Sequence, residues 1–454
     1  MQWAVIVNKS RVLAKIIKDP IHGYIKIYNH ELKIVDSRPF QRLRRIRQLS
    51  LADYVYPGAT HSRFIHSLGV AHVAEILTEN IVSKLNIDES EKERYIAMMR
   101  LAAMLHDIGH GPFSHIFEDY ILYPRRITHE RIGAEIIRSN PELQEAFESI
   151  EKELNVSANL IAKMLESTAP ENWPLQNSLD TASERALFYV LKGAYSADII
   201  DYLLRDSYFT GAGYGSNLDW VRLAHFTSIE GDVLVLDYRA REVLDQVLIA
   251  RVYMFTTVYY HKKVRAIQKV AGDLLMKIGE AGILNYDEYI NDPELYLELD
   301  DEFILSHPEI RKLEEARNLL ARKIPYKMVI ELPISLPEQI QKMMAIVIMS
   351  RRTLQDAIAN LLPNNLKQVL RPEKEFFVDT PNLPFNPMIS GEEVHIKEAS
   401  GAITKRRVTD LTWLSSPHTI ALIRLYIHSK YLQYSSILRE IFEEIASGGL
   451  RSFY

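Results

Sequence analysis

Apolar residues recur three and four positions apart along most of this chain, the period of one buried helix face, and they predict a mainly α protein. Helices are expected over 39–48, 62–86, 91–107, 129–139, 141–150, 158–166 and 184–208, with one long amphipathic helix over 241–280. β-branched or alternating runs at 4–7, 12–17 and 24–27, with the turn residues Asp19-Pro20-Ile21-His22-Gly23 between the last two, predict small N-terminal strands. A hairpin is expected over 228–236. After about Leu320 the pattern changes. There it predicts a strand over 326–332, a helix over 337–362, an irregular Pro/Asn-rich connection over 379–387, paired strands over 394–398 and 405–408, and a final helix over 419–446. This divides the chain into a helical core with N-terminal strands, 1–320, and a smaller α+β C-terminal lobe, 321–454.

Composition narrows the class. The 454 residues suffice for about two or three domains, and 47% hydrophobic with 25% charged is ordinary globular usage. A net charge of −5 provides no global footprint for nucleic acid, so no nucleic-acid partner is expected. Arginines do gather at Arg38, Arg42, Arg44, Arg45 and Arg47, which suits a solvated helix face or a polyphosphate neighbour. With no cysteine, disulfides, thiolate metal sites and a Cys nucleophile are excluded. No run approaches the ~18 apolar residues of a membrane span, and the short apolar stretch at the N-terminus lacks a cleavage site, so a cytoplasmic location without membrane contact is expected. Gly211-Ala212-Gly213-Tyr214-Gly215 is followed by no Gly-Lys-Ser/Thr and reads as a turn after a helix, not a phosphate loop.

The chemistry concentrates at His106-Asp107. Residues 96–105 are apolar except for Arg100, so a buried helix delivers a histidine and a carboxylate at its end. A buried carboxylate needs a fixed positive partner, and a divalent metal supplies one. Gly109, Gly111 and Pro112 are expected to stop the helix, with His106 and His110 four apart on one face and His115 just beyond. Singly, each of these is a candidate cap or satisfied core residue; three histidines and an Asp within ten residues read as a reaction centre. Adjacent helical residues diverge by about 100°, so further ligands must come from elsewhere, and His66 and Asp198 are the candidates.

In that order, His66…His106-Asp107…Asp198 resembles the HD superfamily of metal-dependent phosphohydrolases. Asp19 to Gly23, Phe40-Gln41-Arg42-Leu43-Arg44, Pro57-Gly58-Ala59, His106 to His115 and Thr128-His129-Glu130 are similar, over roughly residues 13–275, to the deoxynucleoside triphosphate triphosphohydrolases. The resemblance implies an HD-domain helical core holding one divalent metal ion (Mn, Fe, Zn, Ni or Mg) on those four ligands, and hydrolysis of a deoxynucleoside triphosphate to deoxynucleoside and tripolyphosphate. It implies catalytic roles near the leaving oxygen for His115, Glu118 and His129, with Glu118 where Asp is usual. Arg63, His110 and Arg251 match phosphate contacts, Gln48, Tyr202 and Asp206 hold the deoxyribose, and Tyr259 stacks on the base. Asp36, Gln41 and Arg44 match positions that read the guanine of a GTP or dGTP activator in a pocket between subunits, hence a homo-oligomer. Two departures stand out: Ile199 replaces a phosphate-binding lysine, and Lys18 replaces an asparagine before Asp19. Plainer roles compete at several positions: caps for His115 and His129, the polar face of an amphipathic helix for Arg251 and Tyr259, and an Arg-rich helix start for Asp36, Gln41 and Arg44. Competing functions are an HD phosphatase or phosphodiesterase acting on nucleotide monophosphates or cyclic dinucleotides, and a nucleotide-binding sensor.

Overall fold

The computed structural model describes residues 11–176, 179–334, 351–380, 393–407 and 421–446. The strand expected over 4–7, residues 337–350 of an expected helix and most of the 379–387 connection lie outside them. At the N-terminus, β1 (Leu13–Asp19) and β2 (Gly23–Tyr28) pair antiparallel. Asp19 Oδ1 accepts the amides of Ile21 and His22, both at 2.9 Å, and Gly23 takes φ +74°, so the Asp and Gly of this motif build the turn.

Next come α1 (Asn29–Asp36) and α2 (Arg38–Arg42). The helix expected over 39–48 ends early, in a 3₁₀ turn at Leu43–Arg45. Arg47 instead pairs with Ser62, its amide donates to Asp301 Oδ2 at 3.0 Å, and the Gln48 amide donates to the His61 carbonyl at 3.0 Å. Backbone pairing with a distant segment has overridden the local helical pattern.

α3 (Arg63–Val82) and α4 (Glu89–Leu105) pack together at the centre. Every residue of α4 from Glu93 onward is buried, as a helix apolar on all sides requires. α4 ends at Leu105, so His110 is brought to the site by the following turn and does not share a helical face with His106, as expected from spacing. After α5 (His115–Phe117) and a π-helical turn come α6 (His129–Ser139), α7 (Pro141–Leu154) and α8 (Ala158–Glu166), N-capped by Thr128, Asn140 and Ser157.

The helix expected over 184–208 is three: α9 (Thr181–Ala186), α10 (Phe188–Lys192) and α11 (Ala197–Thr210). Gly193 closes α10 and Ser196 caps α11 by accepting the Ile199 amide, a stop and a start inside one apolar pattern. After α12 (Trp220–His225), β3 (Thr227–Glu230) and β4 (Val233–Asp237) form the expected hairpin. The helix expected over 241–280 is broken into α13 (Arg241–Met254) and α14 (Lys262–Glu280) by a π-helical turn at Phe255–Tyr259. Its run Phe-Thr-Thr-Val-Tyr is β-branched and aromatic, which weakens the helix there.

Towards the C-terminus, β5 (Tyr326–Ile334), β6 (Phe376–Asp379) and β9 (Ala421–His428) form an antiparallel sheet with β9 central. β7 (Glu393–Lys397) and β8 (Ile403–Arg407), paired as expected, extend the hairpin into the sheet β3-β4-β7-β8, with β4 and β7 parallel. The helix expected over 419–446 is corrected to strand β9 followed by a helix at Ser435–Ala446. Apart from Arg424, this central strand is apolar from Ala421 to Ile427 and mimics a buried helix in sequence. The helix expected over 337–362 is described only at Arg351–Leu361. One large core fills the helical body, and a second, with Ile358, Phe376, Leu425 and Phe442, lies in the C-terminal lobe. Among the described residues no helix is long and apolar enough to cross a membrane.

Candidate metal centre and active site

α3, the end of α4 and the start of α11 bring four side chains to one point. His66 Nε2 lies 3.0 Å from Asp198 Oδ1 and 3.7 Å from Asp107 Oδ2, while His106 Nε2 lies 3.2 Å from Asp107 Oδ1 and 3.7 Å from Asp198 Oδ1. Both imidazoles are held from behind. His66 Nδ1 bonds Asp201 Oδ2 at 2.8 Å, and His106 Nδ1 donates to the Ala103 carbonyl at 2.7 Å. That leaves two buried Nε2 atoms without a hydrogen-bond donor to accept, aimed at two carboxylates. Two imidazole nitrogens and two carboxylates a few ångströms apart fit a divalent cation. His66 and Asp107 are 1% and 4% exposed but His106 and Asp198 are 21% and 38%, so the cluster opens to solvent on the His106–Asp198 side.

The electrostatics agree with that fit. Burial alone would lower the His66 pKa, but Asp198, Asp201 and Asp107 raise it to about 10. A site whose carboxylates favour a buried positive charge so strongly is one that suits a cation. Burial likewise works against charge on Asp107, yet Arg63, His106 and His110 hold its carboxyl well below the usual range. Asp107 therefore does have a fixed positive partner, contrary to the reading that left metal as its partner: Arg63 Nη1 donates to Asp107 Oδ2, and Arg63 Nε to Ser114 Oγ at 2.8 Å.

Asp201, which sequence reasoning passed over, anchors the arrangement. Besides His66 it binds His22 Nε2 at 2.7 Å and accepts from Arg205 Nε at 2.8 Å; Arg205 Nη1 also donates to Asp19 Oδ2 at 2.8 Å. The conspicuous Asp19-to-Gly23 motif is thus part of the support behind His66. The only local signal was the spacing of Asp198, Asp201 and Arg205 on one helix face.

Beside the four candidate ligands sits a histidine cluster. Glu118 bridges two of its members, Oε2 lying 3.2 Å from His115 Nδ1 and Oε1 2.7 Å from His129 Nδ1. Burial opposes charge on Glu118, but both histidines pull its pKa below the carboxylate range. His129 is raised, against its burial, by Glu130 and Glu118. His110, stacked on His129 at 3.8 Å, is held well below its ordinary value by burial, Arg63 and His129, and so is neutral. His115 projects outward, 62% exposed.

The other expected residues sort clearly. Asp206 accepts from Tyr259 at 2.7 Å and contacts His61 Nε2 at 2.8 Å, with Tyr202 edge-on to Tyr259 at 6.2 Å. His61, fully buried and stacked on Phe209, was missed. Gln48 has a buried Oε1 without a partner, and Arg251 is buried on α13. Ile199 is buried and offers no cation. Away from this cluster, Arg44 Nε donates to Gln41 Oε1 at 2.7 Å and its guanidinium lies over Phe64, while exposed Asp36 is 3.5 Å from Lys15 Nζ. Lys18 lies over the Tyr24 ring.

Residues 63–187 match the HD domain family, and residues 218–392 match the HD associated region. The chain belongs to the HD superfamily. This HD-domain chain is 27% identical, over 72% of its length and 62% of the other's, to a deoxynucleoside triphosphate triphosphohydrolase SAMHD1 homolog of Dictyostelium discoideum. It is 30% identical, over 69% of its length and 54% of the other's, to the deoxynucleoside triphosphate triphosphohydrolase SAMHD1 of Homo sapiens. With the uncharacterized protein YwfO of Bacillus subtilis it shares 30% identity over 58% of its length and 55% of the other's. It thus spans between 54% and 62% of the length of these relatives. A crystal structure of a hypothetical protein from Aquifex aeolicus superposes with a TM-score of 0.67 at 25% identity, covering 94% of this chain and 99% of that one. The HD-domain match agrees with the geometry, in which His66, His106 and Asp198 lie close enough together to hold a metal ion.

Proposed function

We propose that this protein hydrolyses deoxynucleoside triphosphates to the deoxynucleoside and tripolyphosphate, and that guanine nucleotide raises the rate in a homo-oligomer. The observation that carries the reading is the convergence of His66, His106, Asp107 and Asp198 beside the Glu118-bridged histidine pair. The names of the relatives support the substrate class.

A divalent cation on the four ligands supplies Lewis acidity and lowers the pKa of water. The reaction breaks the bond between the α-phosphorus and the 5′ oxygen, and that oxygen must gain a proton. His115 is exposed and its Nδ1–H donates to Glu118, which turns Nε2 outward as the atom through which a proton would pass to the leaving oxygen. Arg63, already held by Asp107 and Ser114, places fixed positive charge beside the phosphates, and neutral His110 offers a hydrogen bond without adding charge. Asp206, oriented by His61 and Tyr259, can accept the 3′-hydroxyl, and Tyr202 beside Tyr259 narrows the space for a 2′-hydroxyl. With Ile199 in place of a lysine, Arg63 and Arg251 carry the phosphate charge. Asp36, Gln41 and Arg44 belong to the activator pocket in this reading.

Metal-loaded protein is incubated with each of the four deoxynucleoside triphosphates, with and without GTP or dGTP, and the products are separated by chromatography while light scattering reports mass. The expected result is deoxynucleoside plus tripolyphosphate, faster with guanine nucleotide, from an oligomer. Orthophosphate release, cleavage of cyclic dinucleotides only, or no turnover by loaded protein would overturn the substrate assignment. A monomer indifferent to guanine nucleotide would overturn the activation.

A further inference from the structure

A row of charge crosses the C-terminal sheet. Glu331 and Asp379 stand directly opposite Arg424 on either side, so all three share a sheet face. Arg424 is buried, donates from Nε to Glu331 Oε2 at 2.6 Å, and has Nη1 3.9 Å from Asp379 Oδ2. Nη1 donates to the main-chain carbonyl of Tyr260. Two residues along the same strand and face, the Tyr426 hydroxyl donates to the Lys262 carbonyl at 2.9 Å, its ring stacked parallel on Phe377 at 4.6 Å. Asp379 also accepts Arg265 Nη2 at 2.7 Å. Three bonds from the sheet therefore land on residues 260, 262 and 265.

Those residues immediately follow Tyr259. The π-helical turn carrying Tyr259 ends its helix at Tyr260, where a carbonyl loses its intrahelical partner and must find another. A guanidinium supplies a stronger bond than a neutral donor. On its other side Tyr259 is tied to Asp206. The turn is thus held from the sheet behind and the pocket in front.

We propose that Arg424 and Tyr426 are positioning residues of the substrate pocket: the C-terminal sheet holds the turn that presents Tyr259, and so sets the pocket's fit to the nucleoside. This rests on the nucleotide reading above for its substrate. The sheet acts through residues 260, 262 and 265. Arg265 of α14, paired with Asp379 of β6, braces the same turn.

The test uses the full chain with Tyr426→Phe, which keeps the ring stack, and Arg424→Lys, which keeps the charge but not the forked donors. Hydrogen–deuterium exchange of peptides over 255–262 needs no substrate. It should quicken on the order of tenfold in each variant, the equivalent of one lost hydrogen bond, while metal content stays that of the unaltered protein. With dATP, KM should rise by a similar factor with kcat little changed, and discrimination against ATP should fall. Unchanged exchange over 255–262 in both variants would overturn the clamp, as would a fall in kcat accompanied by loss of metal, which marks general structural damage. If the unaltered protein turns over no deoxynucleotide, the functional reading fails while the exchange result still decides whether the sheet holds the turn.

Discussion

His66 carries the sharpest physical tension in the molecule. Its burial disfavours charge, yet three carboxylates raise its pKa to about 10, so at neutral pH the metal-free protein holds a proton where a cation would sit. Because the folded-state pKa lies above the unfolded value of about 6.5, this group stabilises the metal-free fold fully below pH ~6.5, and the contribution is lost as pH rises through about 10. A metal must displace that proton, so its apparent affinity should rise about tenfold per pH unit from neutral to about pH 9 through this residue alone. Metal titrations at several pH values, with released protons counted in weak buffer, check this; a pH-independent affinity without proton release would show that His66 holds no such proton. His66 was legible in the sequence as a candidate ligand. Asp201, which orients it, was not, because the two are 135 residues apart and only the fold joins them.

Elements differ in what they revealed for the same kind of reason. α6 and α8 have one apolar face, sharp caps and no distant backbone partner, and pattern alone placed their ends. The breaks at Gly193–Ser196 and Phe255–Tyr259 and the strand β9 depend on what packs against them, so a continuous apolar pattern hid them. The glycines of two helices make the dependence on context measurable. A Cβ at Gly69 in α3 would collide with Asp201 Oδ1 and Arg205 Nη2, the buried pair behind His66. Gly69→Ala should therefore cost about 3–5 kcal/mol, the scale of breaking a buried ion pair, and weaken metal binding. At Gly279 in α14 the same Cβ meets only Tyr286 at 3.4 Å. Gly279→Ala should stabilise by roughly 0.5–1 kcal/mol through helix propensity. Urea midpoints moving in opposite directions are the expected outcome; equal shifts would show that the Asp201–Arg205 pair yields freely.

At the scale of the whole molecule the question is whether the C-terminal lobe is an independent unit, as the change of pattern near Leu320 suggests. It has a core of its own, yet Phe377, Val394, Ile396 and Tyr426 belong to the large core of the helical body. β4 pairs with β7 along Val235–Asp237, so a chain ending at Leu320 would leave β4 as an open edge next to only β3. Arg265, partly buried, would lose the Asp379 carboxylate that raises its pKa against burial, and with it the charge partner of its guanidinium. Hydrogen bonds, charge and apolar packing all cross the boundary in the same direction, so the lobes should lose their structure together. Differential scanning calorimetry of the full chain should show one cooperative transition, and the chain cut after Leu320 should melt well below it or fail to stay in solution. Two separate transitions in the full chain, with a cut chain that melts at the temperature of one of them, would establish the lobe as autonomous and would also undercut the clamp on Tyr259.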